Sequence, residues 1–164
     1  MLILGYFYNR NSKLVSIFRP VNSIKDKMTI ENEIKTRRIR FTSVESVKEL
    51  YPSQRVHIEI ETENIKANLA GDIWISDVDI EEFLVELDAL DRSHKGEATL
   101  ESMGTGEMTL TFKTTDTQGH LSVELQLVNK DSINKDYSFD VNVEFQIDKT
   151  SLMSLRNDLI KLME

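Results

Sequence analysis

The sequence predicts an α+β fold: a mainly antiparallel β-meander covered by an acidic amphipathic helix at about 77–92 and a C-terminal helix at about 151–163. Three observations carry this. After Gly96, four successive segments alternate apolar and polar residues with period two, as strands with one buried and one wet face do. Parallel strands covered on both faces would not alternate in this way. Ile80, Phe83, Leu84, Leu87 and Leu90 recur at spacings of three and four, the period of a helix with one apolar face. Leu152, Leu155, Leu159 and Leu162 repeat that spacing at the end of the chain. Its 164 residues suffice for one domain with a core and are too few for two comfortable ones.

In chain order, residues 2–8 (LILGYFY) and 14–18 (LVSIF) are β-prone runs separated by Asn9 to Lys13, the composition of a hairpin within an N-terminal extension over 1–50. From Val21 to Gln54 the pattern weakens; IRFTSV reads as a strand and SVESVKELY as a short helix ended by Pro52. RVHIEIETE then sets Val56, Ile58 and Ile60 on one face and His57, Glu59 and Glu61 on the other. DIWIS (72–76) continues as sheet, with Trp74 expected to be a core aromatic beneath the acidic helix. Ser76 is placed to cap that helix, and Asp77 and Asp79 sit in its first turn, where the dipole favours carboxylates.

The meander follows. Ala98, Leu100 and Ser102 form its first apolar face, and Met108, Leu110 and Phe112 its second. Leu121 to Leu127 and Phe139 to Ile147 complete it, with turns at Asp116–Gly119 and Asn129–Asp136. Between the first two strands, Gly104-Thr105-Gly106 has the look of a phosphate loop. A phosphate cradle needs glycines opening a helix, whereas GEMTLTF alternates as a strand and Glu107 would repel an anion. The glycines are therefore expected to be a hairpin turn. Asp148 to Ser151 supplies capping side chains for the last helix.

The charge is concentrated. The formal net charge of −8 resides in residues 72–91, which hold eight Asp or Glu and no Lys or Arg, leaving 20 acidic against 20 basic residues elsewhere. Residues 1–56 tilt the other way, with eleven Lys or Arg against five Asp or Glu, including Lys35, Arg37, Arg38 and Arg40. No series of aromatic residues for stacking interleaves that cluster, so it is expected to be a solvated strand edge rather than a nucleic-acid contact.

No Cys is present, which excludes disulfides, thiolate metal sites and thiol nucleophiles. His57, His94 and His120 lack metal-ligand spacing and no nucleophile elbow occurs, so no catalytic, metal or cofactor residues are assigned. MLILGYFYNR lacks the features of a signal peptide, and no run is long enough to span a membrane; a cytoplasmic protein is expected. A crowd of like charges steers oppositely charged partners, so a basic protein is the expected partner and Asp79, Glu81, Glu82 and Glu86 its expected contacts.

Gly96-Glu97-Ala98, Leu100-Glu101-Ser102-Met103, Gly106-Glu107 and Thr115-Asp116 with Gly119-His120 carry a further signal. With the helix IEEFLVELDAL before them and SLMSLRNDLIKL at the end, residues 56–164 resemble the WapI-like immunity proteins of bacterial contact-dependent toxin systems. The resemblance implies a non-enzymatic protein that binds and blocks the C-terminal domain of a toxin made beside it, in the named system a tRNA-directed nuclease. Two other classes remain open on the sequence: a small-ligand-binding domain, and a scaffold that assembles through an exposed sheet edge.

Overall fold

The computed structural model describes residues 27–63, 66–116, 119–129 and 139–163. The hairpin expected at 2–18 lies outside the described residues. Within them the α+β fold holds, with two antiparallel four-stranded sheets in place of one. The first contains β1 (Lys27–Glu31), β2 (Arg38–Val47), β3 (Ser53–Glu61) and β4 (Lys66–Ser76), in that order. After α1 (Asp77–Ser93) the second contains β5 (Glu97–Glu101), β6 (Met108–Thr114), β7 (Leu121–Asn129) and β8 (Phe139–Ile147), and α2 (Ser151–Met163) ends the chain. Each meander is thus followed by one helix, and the helices are exchanged. α1 packs on β5 of the second sheet, while α2 packs on β1 and β2 of the first.

The register of the first sheet explains the basic cluster. Arg38 stands opposite Glu31 on one side and Glu61 on the other, and Arg40 opposite Glu59. Opposite charges facing across strands stabilise the pairing. The ion pairs close at 2.6 Å (Arg38–Glu31), 3.5 Å (Arg38–Glu61) and 2.6 Å (Arg40–Glu59). Arg38 and Arg40 lie on an interior strand and are paired by its neighbours, so for them the expectation of a strand edge is corrected; Lys35 and Arg37 precede β2. Ile39, Phe41, Ile58 and Ile60 alternate with these charges and are buried.

The short helix expected over 43–51 is likewise a strand. β2 runs to Val47, which pairs with Ser53, and a register shift between Ser43 and Glu45 leaves Val44 exposed. Nine residues without caps form a marginal helix, and the ladder offered by β3 wins.

α1 forms as its sequence dictates. Ser76, extended at φ −73° and ψ 143°, accepts from Val78 N–H at 3.1 Å and Asp79 N–H at 3.2 Å. Ile80, Phe83, Leu87 and Leu90 are buried, and His94 closes the helix in the left-handed region with its N–H on the Leu90 carbonyl. Ser76→Ala should destabilise the fold by about 1 kcal/mol, measured by urea unfolding, because two helix N–H groups lose their acceptor. The Phe83 and Phe112 rings lie 5.8 Å apart, joining α1 to the second sheet. The buried apolar residues of both sheets and both helices form one continuous cluster, and Arg156 of α2 pairs with Asp88 of α1 at 2.9 Å.

The family-like segments are turns with specific backbone demands. Gly96, Gly106 and Gly119 have φ of 104°, 71° and 77°, a region open to glycine and costly for other residues. Gly119 is also buried, where an added Cβ would lie 3.1 Å from that of His94. The buried Ser102 hydroxyl accepts from Met108 N–H at 3.0 Å and donates to the Gly104 carbonyl at 2.8 Å, which fixes the β5–β6 turn. Before α2, Asp148 accepts from the Thr150 N–H and hydroxyl, and these bonds hold its carboxyl below the usual range.

The wet face of the second sheet carries a carboxylate network. Lys113 Nζ donates to Glu124 at 2.8 Å, and Gln126 and Asn142 donate to the other oxygen of that carboxylate. These bonds, led by Lys113, depress the Glu124 carboxyl from 4.5 to about 2. A carboxyl depressed on folding stabilises above its unfolded value, and that stability is lost as pH falls through the folded value. The urea midpoint should therefore fall between pH 4.5 and about 2, and Glu124→Gln should flatten that dependence. Equal slopes in both proteins would show that the network contributes nothing; partial exposure of both partners keeps the effect modest.

Candidate functional site

Two adjacent features of the surface stand out. The first is the solvent face of α1. Of its acidic residues, three are engaged by the fold: Asp77 accepts from Gln54 at 3.2 Å and lies 3.8 Å from Lys48, and Asp88 pairs with Arg156. Glu86 accepts the Thr99 N–H of edge strand β5 at 2.8 Å. Among the described residues, no ion pair engages Asp79, Glu81, Glu82 or Asp91. Glu81, Glu82 and Glu86 are exposed, while Asp79 is half-buried in the first turn. The four expected contact residues thus share a helix but not a condition: Glu81 and Glu82 are free carboxylates, and Glu86 is tied to the sheet. Val78 and Val85, 57% and 68% exposed, lie three or four residues from Glu81 and Glu82 on the same face. These valines fall outside the apolar stripe, so helical periodicity does not single them out.

The second feature is an apolar groove of about 620 Å³ between the β2–β3 turn and the β5–β6 turn. Its walls include Leu50, Tyr51, Trp74 and Met103, with Glu49 and Glu107 at its rim. Leu50 is 93% exposed, Tyr51 79% and Met103 50%. Tyr51 N–H closes a three-residue turn on the Glu49 carbonyl at 2.7 Å, with Leu50 at φ 62° in its centre. Such a γ-turn with positive φ is rare and strained, and a bulky residue held there costs about 1–3 kcal/mol. Strain that displays an apolar side chain to water has no folding rationale.

Trp74 corrects an expectation. It is half-buried, outside the core cluster, with Arg55 stacked 5.9 Å from the centre of its ring. Its strand places Ile73 and Ile75 on either side of it, and only Ile75 enters the core as a buried residue. The sequence signal for the groove was present in Leu50-Tyr51-Pro52, two large apolar residues in a turn, but it was absorbed into the helix expected there.

The groove and the helix are joined. Asp77 N–H donates to the Pro52 carbonyl at 2.9 Å, which ties the β2–β3 turn to the start of α1, and Met103 N–H donates to the Trp74 carbonyl at 2.8 Å. The Gly104–Gly106 element is the turn expected of it. Glu107 N–H returns to the Gly104 carbonyl at 3.1 Å, β6 follows, and the Glu107 carboxyl lies over Gly104 where an anion would have to bind.

The histidines do not converge. His57 is on β3, His94 caps α1, and His120 bonds to Asp116 within the β6–β7 turn. Among the described residues no group of three or more His, Asp or Glu is arranged to hold a metal ion, and no helix is long and apolar enough to cross a membrane. A smaller groove of about 360 Å³ runs beside β8, lined by Arg37 and His120 among others. The Arg37 guanidinium is turned onto the Glu144 carbonyl at 3.3 Å.

Comparison with known proteins adds one strong match. No curated protein matches the chain. Among solved structures, a chain from "Crystal structures of trypanosoma bruciei MRP1/MRP2" aligns over 85% of this chain and 83% of its own, at 14% identity and a TM-score of 0.39. That likeness is too distant to support an argument. The family model for the "Immunity protein WapI-like family" matches residues 38–164, from the first residue of β2 through the described part of α2. The match takes in most of both sheets and both helices, well over half of the sequence, and the chain belongs to the WapI-like immunity protein family.

Proposed function

We propose that this chain binds and neutralises the toxic C-terminal domain of a cognate secreted bacterial toxin, acting in the cytoplasm without catalysis of its own. Membership of the immunity family supplies the class of role. The observation that carries the mode of binding is the solvent face of α1, where Glu81 and Glu82 stand exposed and unpaired among the described residues. Uncompensated carboxylates on a rigid helix raise the rate of encounter with a basic surface. A nuclease that grips nucleic acid carries such a surface, so an acidic partner competes for it.

Assembly through a sheet edge is less well supported. The Thr99 N–H on β5 is taken by Glu86, the Trp74 carbonyl on β4 by Met103, and the Glu144 carbonyl on β8 by Arg37. Each of these bonds removes one outward backbone group from β4, β5 or β8, which makes those edges poorer templates for another strand.

The reading predicts a toxin domain encoded immediately upstream in the genome, and the test is co-expression with the product of that neighbouring reading frame. Protection of the cells and a one-to-one complex that weakens with salt are expected. No protection and no complex at low salt would reject the immunity reading.

A further inference from the structure

We infer that the apolar groove between the β2–β3 and β5–β6 turns receives an aromatic or aliphatic side chain that the toxin domain presents between basic residues. This rests on the immunity reading and goes beyond it, because it gives the complex an apolar anchor in addition to charge.

Four observations combine. Leu50, Tyr51 and Met103 present large apolar side chains to solvent around the half-buried Trp74, more than a folded monomer needs to expose at one place. The walls are preorganised: the Glu49–Tyr51 turn, the Asp77–Pro52 bond and the Met103–Trp74 bond fix the backbone on both sides. A binding site held in shape beforehand loses less on association. The groove's lining contains two carboxylates, Glu49 and Glu107, and no lysine or arginine. An apolar floor with an acidic rim complements an apolar side chain flanked by Lys or Arg and disfavours an acidic or purely polar segment. Last, the Asp77–Pro52 bond ties the β2–β3 turn beside the groove to the start of α1, so one partner can cover both. In such interfaces a few desolvated anchors carry most of the affinity while the charged rim governs encounter.

The chain offers its own reporter, since Trp74 is its single tryptophan. The probe is the toxin domain that the immunity reading predicts to be encoded immediately upstream, titrated into the full chain, with Trp74→Phe as the blank for the toxin's own emission. Trp74 emission should shift to the blue and become shielded from acrylamide on binding. Leu50→Asn and Tyr51→Ala should each weaken the complex roughly tenfold, chiefly through faster dissociation, with the salt dependence of association unchanged. Because both side chains are exposed, these variants keep their fold. Asparagine tolerates the left-handed backbone, so Leu50→Asn should unfold at the wild-type temperature or above. A loss of binding together with retained stability separates docking from a structural role.

Wild-type affinity in both variants, with unshifted Trp74 emission, would overturn the groove as the anchor while leaving the immunity reading intact. If Leu50→Asn instead abolished self-association of the chain and left toxin binding untouched, the occupant would be a second copy and the inference would fall. A wild-type chain that forms no complex with the toxin domain would remove both readings together.

Discussion

Phe112→Ala should cost the fold about 3–5 kcal/mol, the largest stability effect expected of any single change. Phe112 is fully buried in β6, an interior strand, opposite Ala98 on β5 and Val123 on β7. Its ring meets Phe83 of α1 at 45°, so truncation removes both buried area and the contact that seats the helix on the second sheet. Neither neighbour can fill the space. Ala98 is too small, and β6 is held by strands on both sides, so the void persists. Phe112→Leu should cost less, since it keeps most of the volume. Urea unfolding measures both, and the midpoint should fall with an unchanged slope. The buried cluster joins both sheets, so we expect one cooperative transition; two separated transitions would show that the sheets fold as independent units. A Phe112→Ala protein within about 1 kcal/mol of wild type would mean that the helix is seated elsewhere.

The second half of the chain was legible because each signal there is local. Strand alternation from Ala98 to Phe112 needs only the period of the pleat, and the 3–4 spacing of α1 and α2 needs only the helical turn. The observed helices, Asp77–Ser93 and Ser151–Met163, follow those patterns closely. The division into two sheets was not legible, because it depends on α1 interrupting the hydrogen-bonding ladder between β4 and β5. Nor was the exchange of helices, which is a matter of which apolar face meets which. In the first half, Val44 at a bulge breaks the alternation of β2, whereas Arg38 and Arg40 alternate with Ile39 and Phe41 and pair with Glu61 and Glu59 across the sheet. Those arginines look like a basic patch only until the opposite strand is known.

The site was legible by charge and illegible by shape. Glu81 and Glu82 could be found from the count of acids in one helix. Leu50 and Tyr51 could not, because exposure is a property of the folded chain and their sequence context reads as a helix end. Trp74 failed for a related reason: strand alternation gives two faces but does not say which one the helix covers.

Replacing Glu81 and Glu82 together by lysine should slow association with the toxin domain about tenfold at low salt and leave stability within about 0.5 kcal/mol. These two are the right pair on structural grounds. Both are exposed and unpaired among the described residues, so reversal breaks nothing in the fold. Reversal at Glu86 would confuse the result, because its carboxylate accepts the Thr99 N–H that closes the α1–β5 contact. Reversal at Asp79 would place a cation against the positive end of the helix dipole and destabilise α1 for reasons unrelated to binding. Stopped-flow association at two ionic strengths makes the measurement. Charges on an exposed helix are screened over about 8–10 Å at physiological salt, so the two rates should converge as salt rises. Dissociation should change less than association, whereas groove variants should do the reverse. An association rate indifferent to the reversal would place the contact away from α1, and the groove would then have to account for the complex without electrostatic steering from the helix.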